Sequence, residues 1–336
     1  MKEELVQLAH GGGGGLMNQL LRERIAPWLS NPALDPFADG ALIDLPAGRV
    51  CLSTDASVVQ PLFFNGGDIG SLSVCGTVND LSVMGARPVA LTQTLILEEG
   101  LPLATLDRVM ESIAKSAERA GVFVATGDTK VIQRQRGDGL FISTSGVGIV
   151  DPRLRLDLNS IQAGDRILLS GAIADHGLAI MAAREGLELS TRLRSDVAPL
   201  NRLCSALYSL GPQLRFLRDP TRGGLAGVLV DIAEGSKLGV EVHEEKIPLR
   251  GNTRHAAELL GLDPLGVANE GKVVAVCSAE AAEQALGLMR AQPLGREAAI
   301  IGEVIEAQPP LVELITSIQG RRIVTRPHGE ALPRIC

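Results

Sequence analysis

Apolar and polar positions along this chain follow two periodicities, one typical of strands and one typical of helices. In the first half they predict strands at residues 49–54, 88–97, 122–126 and 140–150, and helices at 69–84 and 103–120. In the second half they predict helices near 177–184, 199–210, 224–234 and 279–291, and strands near 167–170, 273–277 and 299–304. A polar segment at 151–163 separates the halves. The expected fold class is therefore α/β, with mixed sheets in two units of similar size.

Length and composition narrow the class of protein. The 336 residues are 45% hydrophobic, enough to bury a substantial core. One Trp, one Tyr and six Phe, with a net charge of -7, leave little stacking surface or positive charge for a nucleic acid. No apolar run approaches the roughly 20 residues that cross a bilayer, and the acidic start at Met1–Glu4 is unlike a signal peptide. We expect a cytoplasmic protein without nucleic-acid or membrane partners.

The five cysteines divide into four expected core thiols and one reactive one. They are odd in number and lack CxxC spacing, which fits a reducing compartment. Cys336 ends the sequence Pro333-Arg334-Ile335-Cys336, where nothing downstream holds it, so we expect this tail to be mobile and its thiol to be a substrate. The four that lie in apolar strand-like or helical runs are expected to be small buried residues: Cys51, Cys75, Cys204 and Cys277.

Two aspartates stand where a ligand is expected. Asp55 follows a predicted strand, and ligands of α/β sheets gather at the carboxyl ends of strands. Asp80 lies in a helix that is apolar on nearly every face, so it is predicted to be buried, and a cation would offset that cost. Helix capping or an internal ion pair is the alternative for Asp80. Asp68 is about 18 Å away along a straight helix and is predicted to cap its start.

Oxygen ligands without histidine or thiolate clusters favour magnesium, and magnesium implies a nucleotide phosphate. The segment Asp219–Gly224 precedes an apolar helix, so Asp219 could share the metal while its glycines let the backbone approach a ligand. Lys130, at the end of Gly127-Asp128-Thr129-Lys130, could meet phosphates, although a surface lysine after a turn is equally common. His10 and the glycines 11–15 could approach an anion or form a flexible linker.

Eleven motifs occur together in one order along the chain. The ordered set closely resembles the hydrogenase maturation factor HypE family, whose superfamily includes aminoimidazole ribonucleotide synthetase and selenophosphate synthetase and uses ATP to phosphorylate an oxygen or related acceptor. The motifs are LAHG (8–11), STD (53–55), PLFF (61–64), GDIG (67–70), CGTVNDL (75–81), LEEG (97–100), GDTKV (127–131), DHG (175–177), DPTRGG (219–224), ANEGK (268–272) and PRIC (333–336).

The resemblance implies a PurM-like homodimer whose amino-terminal domains form a shared barrel, with ATP and Mg²⁺ in clefts beside it. It divides the chain into a glycine-rich segment (1–38), an ATP-binding dimerisation domain (39–155), a carboxy-terminal α/β domain (156–324) and a mobile tail (325–336). Implied metal positions are Asp39, Asp55, Asp80 and Asp219, although the stretch around Asp39 departs from the usual paired acidic residues. Implied ATP-binding positions are His10, Gly12, Asp55, Asp80, Asp128, Thr129, Lys130 and Asp219.

The resemblance also implies a reaction on the chain's own tail. A HypF carbamoyltransferase would place a carbamoyl group on Cys336, ATP would activate its oxygen, and dehydration would leave a thiocyanate for the iron centre of NiFe hydrogenase, handed on through HypC and HypD. Glu270 is the candidate base, with a solvated loop carboxylate as the alternative, and His176 is a second candidate whose structural role is favoured. A small-molecule synthetase of the same superfamily and a nucleotide-binding scaffold with a tethering cysteine remain alternatives.

Overall fold

The computed structural model describes residues 4–12, 15–34, 40–186, 193–326 and 334–336. Its strands are β1 Val50–Ser57, β2 Phe63–Phe64, β3 Gly67–Asp68, β4 Ala86–Glu98, β5 Phe123–Ile132, β6 Leu140–Val150, β7 Arg166–Leu169, β8 Leu214–Arg218, β9 Gly239–His243, β10 Val274–Cys277, β11 Ala299–Ile305, β12 Val312–Ile315 and β13 Arg321–Val324. Its α-helices are α1 Gly15–Leu20, α2 Ala26–Leu29, α3 Ile69–Val83, α4 Leu103–Ala120, α5 Asp175–Arg184, α6 Asn201–Leu207, α7 Gly224–Ser236, α8 Gly251–Leu260 and α9 Ala282–Arg290. Within these ranges no helix is long and apolar enough to cross a membrane.

Two sheets organise the fold. The first has four strands in the order β1-β6-β4-β5, with β4 and β5 parallel and the other pairs antiparallel. The second has seven strands in the order β13-β12-β9-β11-β7-β10-β8, and only β9 and β12 pair in parallel. The first sheet is complete by Val150 and the second begins at Arg166, so the mixed α/β class predicted from the sequence is confirmed.

Helix α3 is the central element of the first half. Thirteen of its 15 residues are buried, which explains why its sequence is apolar on nearly every face. It begins at Asp68, whose carboxylate accepts the backbone N–H of Ser71 at 2.9 Å, so the predicted cap is confirmed. The two residues that are not buried are Gly76 and Asp80, one turn apart on the same face. The prediction that Asp80 is buried is therefore wrong, since it lies half-buried where this face meets a cleft.

Side-chain hydrogen bonds that involve residues of α3 hold the two halves of the chain together. Asn79 on α3 donates to the carbonyls of Ala198 and Glu270, both at 3.2 Å, and accepts the N–H of Leu200 at 2.7 Å. Tyr208 donates to the carbonyl of Ser82 at 2.5 Å, just before α3 ends. Because these polar groups are buried, losing one partner would leave the other unsatisfied. The cleft between the halves is thus fixed by specific contacts as well as by apolar packing.

Several sequence predictions need correction. The motif Gly127–Lys130 lies inside β5 and does not follow it, because the strand runs for ten residues, from Phe123 to Ile132. Asp55 likewise lies inside β1, which extends to Ser57. Cys51 is half-buried on β1 and is not a core residue, whereas the three other predicted core thiols are buried. The pattern missed β8, β9, β12, β13 and α8 because their apolar runs are short.

Two glycines provide a matched test of packing. A Cβ at Gly302, in the bulge of β11, would lie 2.0 Å from the carbonyl oxygen of Glu241, whereas one at Gly287 in α9 would meet nothing within 4 Å. We expect Gly302→Ala to lower the free energy of unfolding by about 1–3 kcal/mol through overpacking. Gly287→Ala should raise it by about 0.5–1 kcal/mol because alanine favours the helix. Urea unfolding of both variants checks this; equal effects would contradict the close approach at Gly302.

Candidate active site

A cleft of about 620 Å³ opens between β1, the exposed face of α3 and the start of α7. It gathers residues that are widely separated in the sequence, including the end of the chain. The acidic side chains in its wall are Asp55, Asp80, Asp219 and Glu270; the basic ones are Arg222, Arg326 and Arg334; and Cys336 is its only thiol. An acidic cleft that also holds a cysteine is the candidate active site.

Asp55 and Asp80 face each other across the junction of β1 and α3. Ser53 donates to Asp80 at 2.6 Å, and Thr77 donates to Asp55 at 3.3 Å. Burial, together with the negative charge of Asp80, raises the pKa of Asp55. Gly76 makes this approach possible, because a Cβ there would lie 3.2 Å from a carboxylate oxygen of Asp55. The two carboxylates therefore sit close on one wall of the cleft.

Asp219 approaches the same pair from the second half of the chain. Gly223 and Gly224 follow it with left-handed φ values of 79° and 59°, and a Cβ at Gly224 would lie 2.5 Å from the carbonyl oxygen of Leu265. This tight turn places the start of α7 beside the cleft, and the partial positive charge of a helix N-terminus favours an anion. Burial and the charges of Asp80 and Asp55 raise the pKa of Asp219 to about 7.

Carboxylates that lie close together repel one another. A hard divalent cation, which prefers oxygen ligands, offsets this repulsion when it binds between them. The raised pKa values of Asp55 and Asp219 show that these side chains are held near each other at an electrostatic cost. Across the described ranges, no three His, Cys, Asp or Glu side chains are grouped closely enough to hold a metal ion as they stand. The predicted aspartates thus share a cleft that suits magnesium, without forming a closed cage.

Glu270 is buried at the base of the cleft, with 3% of its surface exposed. Its backbone N–H donates to Asp196 at 3.0 Å and its carbonyl accepts from Asn79, but its Oε1 has no hydrogen-bond partner. Burial, followed by the charges of Asp219, Asp196, Asp55 and Asp80, raises the pKa of Glu270 well above its usual value. The alternative of a solvated loop carboxylate is wrong, since this side chain is buried.

Asp196 and Lys272 form a buried ion pair that sequence reasoning missed. Their charged atoms lie 3.0 Å apart, and the side chains are 3% and 8% exposed. Burial opposes ionisation of Asp196, but the charge of Lys272 and the hydrogen bond from the backbone N–H of Glu270 outweigh it and lower its pKa. Gly271 lies against this loop, since a Cβ there would be 1.8 Å from the carbonyl of Asp196. Asp196 follows an irregular stretch without periodicity, so no sequence signal marked it.

The end of the chain is docked in the cleft. Val58 donates its N–H to the carbonyl of Cys336 at 3.0 Å, and Gln60 donates to that of Arg334 at 3.2 Å. The register is antiparallel: the chain terminus runs back along the segment that follows β1. Ile335 is buried in the main hydrophobic core, while Cys336 is half-buried at the cleft. Residues 334–336 are thus docked, whereas residues 327–333 of the predicted mobile tail lie outside the described residues.

His176 contacts the tail and not the carboxylates. Its Nε2 lies 2.6 Å from the carbonyl oxygen of Ile335 and its Nδ1 lies 2.8 Å from the hydroxyl of Ser195. A carbonyl can only accept, so Nε2 carries the proton and Ser195 donates to Nδ1. Burial lowers the pKa of His176, which favours this neutral form. Of its two sequence interpretations, the structural role is the one that these contacts support.

The other predicted ATP-binding residues lie on the opposite edge of the first sheet. Asp128, Thr129 and Lys130 are in β5, three strands from β1, and neighbouring strands are about 4.8 Å apart. Lys130 pairs with Asp128 at 2.8 Å. The loop of His10 and Gly12 covers this strand, since a Cβ at Gly11 would lie 2.8 Å from the backbone nitrogen of Val131. Asp39 lies outside the described residues.

Comparisons with known proteins show the class of proteins to which this chain belongs. The N-terminal domain model of the AIR synthase related proteins matches residues 37–150, and the C-terminal domain model matches residues 162–313. The two models together cover most of the chain, on either side of the cleft. The chain is thus an AIR synthase related protein.

Individual relatives identify the family within this class of proteins. The chain is 51% identical to carbamoyl dehydratase HypE of Azotobacter vinelandii, over 98% of this chain and 97% of that one. A crystal structure of the hydrogenase maturation protein HypE in complex with ATP superimposes with a TM-score of 0.94 at 42% identity, covering 98% of this chain and 99% of that one. A structure of a HypE–HypF complex matches with a TM-score of 0.81 at 44% identity, over 94% and 100%. The chain belongs to the carbamoyl dehydratase HypE family.

The crowding of carboxylates predicts a pH-dependent stability. The pKa of Asp219 is about 7 in the folded chain and about 3.9 when unfolded, so between these values the native state holds more protons and stability falls as pH rises. Asp219→Asn removes this loss. In the absence of metal and nucleotide, we expect the variant to melt a few degrees above the unchanged protein at pH 8, with a smaller gain at pH 5.

Thermal melting across this pH range checks the sign, with the exposed Asp44→Asn as the matched control. A gain that did not grow with pH, or an equal gain in the control, would contradict the repulsion inferred at Asp219.

Proposed function

We propose that this chain uses ATP to dehydrate a carbamoyl group carried on the sulfur of Cys336, leaving a thiocyanate. The observation that carries the proposal is the docking of the chain's own terminal cysteine in the cleft that holds Asp55, Asp80, Asp219 and Glu270. A separate small-molecule substrate would need this space. The relatives support the same reaction, since one is named as a carbamoyl dehydratase and another was crystallised with ATP.

The chemistry explains why phosphate is needed. The carbamoyl oxygen attacks the γ-phosphorus of ATP, the bond from that phosphorus to the β-phosphate oxygen breaks, and ADP leaves. The nitrogen loses one proton at this stage and gives an O-phosphorylated imidate on sulfur. Loss of the second N–H proton then forms the carbon–nitrogen triple bond as the carbon–oxygen bond breaks and inorganic phosphate departs. An amide oxygen leaves poorly by itself, whereas phosphate leaves readily.

Glu270 is the proposed base for the last proton. It borders the cleft that Cys336 enters, and its unpartnered Oε1 leaves an acceptor position open. Its raised pKa suits a base that works near neutral pH, because a stronger base drives proton transfer further. The ion pair of Asp196 and Lys272 positions it through the backbone N–H of Glu270.

The carboxylates Asp55, Asp80 and Asp219 would hold magnesium, which would offset the charge of the phosphates. The N-terminus of α7, after Gly223 and Gly224, adds backbone N–H groups for a phosphate. The three aspartates offer oxygen donors, and such donors favour a hard cation. Asp39 is kept as a further proposed metal ligand, on the resemblance alone.

A homodimer would explain why the proposed ATP-binding residues lie on two edges of one sheet. Among the described strands β1 pairs with β6 alone and lies at the end of its sheet, so its other edge is open to a second chain. Leu52, an exposed apolar residue on β1, would gain cover in such a contact. Closure of two four-stranded sheets into a barrel would cover this edge. In the arrangement that joins β1 of one protomer to β5 of the other, the partner would bring a second copy of the His10 loop and the Asp128–Lys130 motif to the carboxylates.

The carbamoyl group would come from a HypF carbamoyltransferase, and the solved HypE–HypF complex supports this partner. The thiocyanate would deliver cyanide to the iron of NiFe hydrogenase through HypC and HypD. These later partners, and a cytoplasmic location, stay predictions from the resemblance.

Replacement of the proposed acceptor thiol tests the whole reaction. Cys336→Ala should fold and bind ATP as before but acquire no carbamoyl group and form no thiocyanate, because the attachment atom is gone. Cys51→Ala is the matched control, since Cys51 is the other thiol that is not fully buried. Intact mass after incubation with HypF, carbamoyl phosphate and ATP reports both steps. Carbamoylation and dehydration that persisted without Cys336 would refute the proposal.

The base is tested by Glu270→Gln, which preserves size but cannot accept the proton as a carboxylate does. We expect the carbamoylated variant to bind ATP but to lose one water from its tail about 100- to 10,000-fold more slowly. In the unchanged protein the rate should rise with pH as Glu270 ionises, and the variant should lose that rise. The exposed Glu283→Gln on α9 serves as the control. A Glu270→Gln protein with an unchanged rate would eliminate this residue as the base.

A further inference from the structure

The docked tail is held at three kinds of contact, all within its last three residues. Its backbone pairs with Val58 and Gln60, and its Ile335 side chain enters the core. Its Arg334 forms an ion pair with Asp138, and Arg184 donates to the carbonyl of Arg334 at 2.9 Å.

The contact from His176 differs from these because it is fully buried and directional. Nε2–H donates to the carbonyl of Ile335, one residue before Cys336, and the hydroxyl of Ser195 fixes the ring by donating to Nδ1. Ser195 is itself held by the N–H of Val197 at 3.1 Å. The carbonyl of Ile335 points away from the pairing with Val58 and Gln60, as alternate residues of an extended strand do. His176 therefore binds the face of the tail that strand pairing leaves open.

We infer that His176 is a positioning residue that holds the tail in the state where Cys336 faces the carboxylates. The inference rests on the proposed function for its catalytic consequence, but the docking itself does not depend on it. The docked sulfur is half-buried and lies against the core, so it is shielded from a separate carbamoyltransferase. The same hydrogen bond therefore favours dehydration and opposes loading of the thiol. Its loss should shift the two steps in opposite directions, which general damage to the fold would not do.

The first measurement needs no partner and no ATP. Iodoacetamide alkylation of Cys336 is followed by mass spectrometry of the C-terminal peptide, relative to the same peptide in unfolded protein. His176→Leu, which keeps an apolar volume without a donor, should raise the alkylation rate about two- to twelvefold, the population change expected for one hydrogen bond. His176→Gln keeps an N–H donor and should restore most of the protection. The exposed His255→Leu on α8 is the control and should change nothing.

The second measurement uses the same variants after carbamoylation. At saturating ATP, His176→Leu should dehydrate its tail more slowly, by at most the same factor because dehydration follows the docked fraction, with an unchanged KM for ATP, while carbamoyl transfer by HypF should be as fast or faster. Equal alkylation of His176→Leu and the unchanged protein would overturn the inference. A His176→Gln variant as unprotected as His176→Leu would overturn it too, because the donor would then not matter.

If the His176 variants fail to fold, a second variant tests the docking of the tail. Arg184→Met removes the rim contact to Arg334 at a half-exposed site, and it should raise the alkylation of Cys336 while the melting temperature stays unchanged. If Cys336 of the unchanged protein were alkylated as fast as in the unfolded protein, the docked state would be refuted. If protection behaved as expected but the unchanged protein never dehydrated its carbamoylated tail, the proposed function would fail while the docking would stand.

Discussion

The structure depends on holding four carboxylates around one cleft. Asp55, Asp80, Asp219 and Glu270 repel one another, and for Asp219 and Glu270 burial adds to that cost. Such a cluster persists only where the surrounding structure fixes each member. Ser53 and Thr77 donate to two of them, two left-handed glycines place the third, and the loop anchored by Asp196 places the fourth. A bound cation is the expected counterpart of this negative charge.

Helix α3 shows how a few residues can both place a carboxylate in the cleft and fix the width of the cleft. One face carries Gly76 and Asp80 into the cleft, while its other faces supply the core of the first half. Asn79, adjacent to Asp80 in sequence, points elsewhere and holds the segments that carry Leu200 and Glu270. Neighbouring positions of one helix thus set both the carboxylate and the spacing between the two halves. A residue outside the site can alter the site because it fixes that spacing.

A substrate carried on the chain itself, as proposed for Cys336, reaches the active site by a different kinetic route from a free substrate. Docking of a tethered cysteine replaces a bimolecular encounter by an intramolecular one, which can supply much of the entropy cost of bringing reactants together. The terminus runs antiparallel to Val58–Gln60, so its register fixes how far the sulfur enters the cleft. The same tether limits exchange with a partner, because the docked thiol is shielded. A reversible contact of modest strength reconciles the two needs, since a very strong one would trap the tail.

The sequence by itself determined the α/β class, the long regular elements and the chemistry of the cleft. α4 and β6 end where the periodicity predicts, because long runs of one period leave few alternatives. The capping of α3 by Asp68 and the grouping of Asp55, Asp80 and Asp219 as oxygen donors could likewise be argued from residue types and spacing. The resemblance of the ordered motifs supplied the reaction, which no single motif would have done.

Only the tertiary structure decided which of these residues meet. Short strands such as β8 and β13 carry too few residues to show a period, and their identity comes from pairing with distant strands. The burial of Glu270, the role of Asp196 and the contact of His176 with the tail join positions 74 to 159 residues apart. The separation of Asp55 from Lys130 is set by strand order, which local sequence does not encode. Burial and long-range contact are properties of the assembled chain, so the sequence could name the candidate groups but not their neighbours.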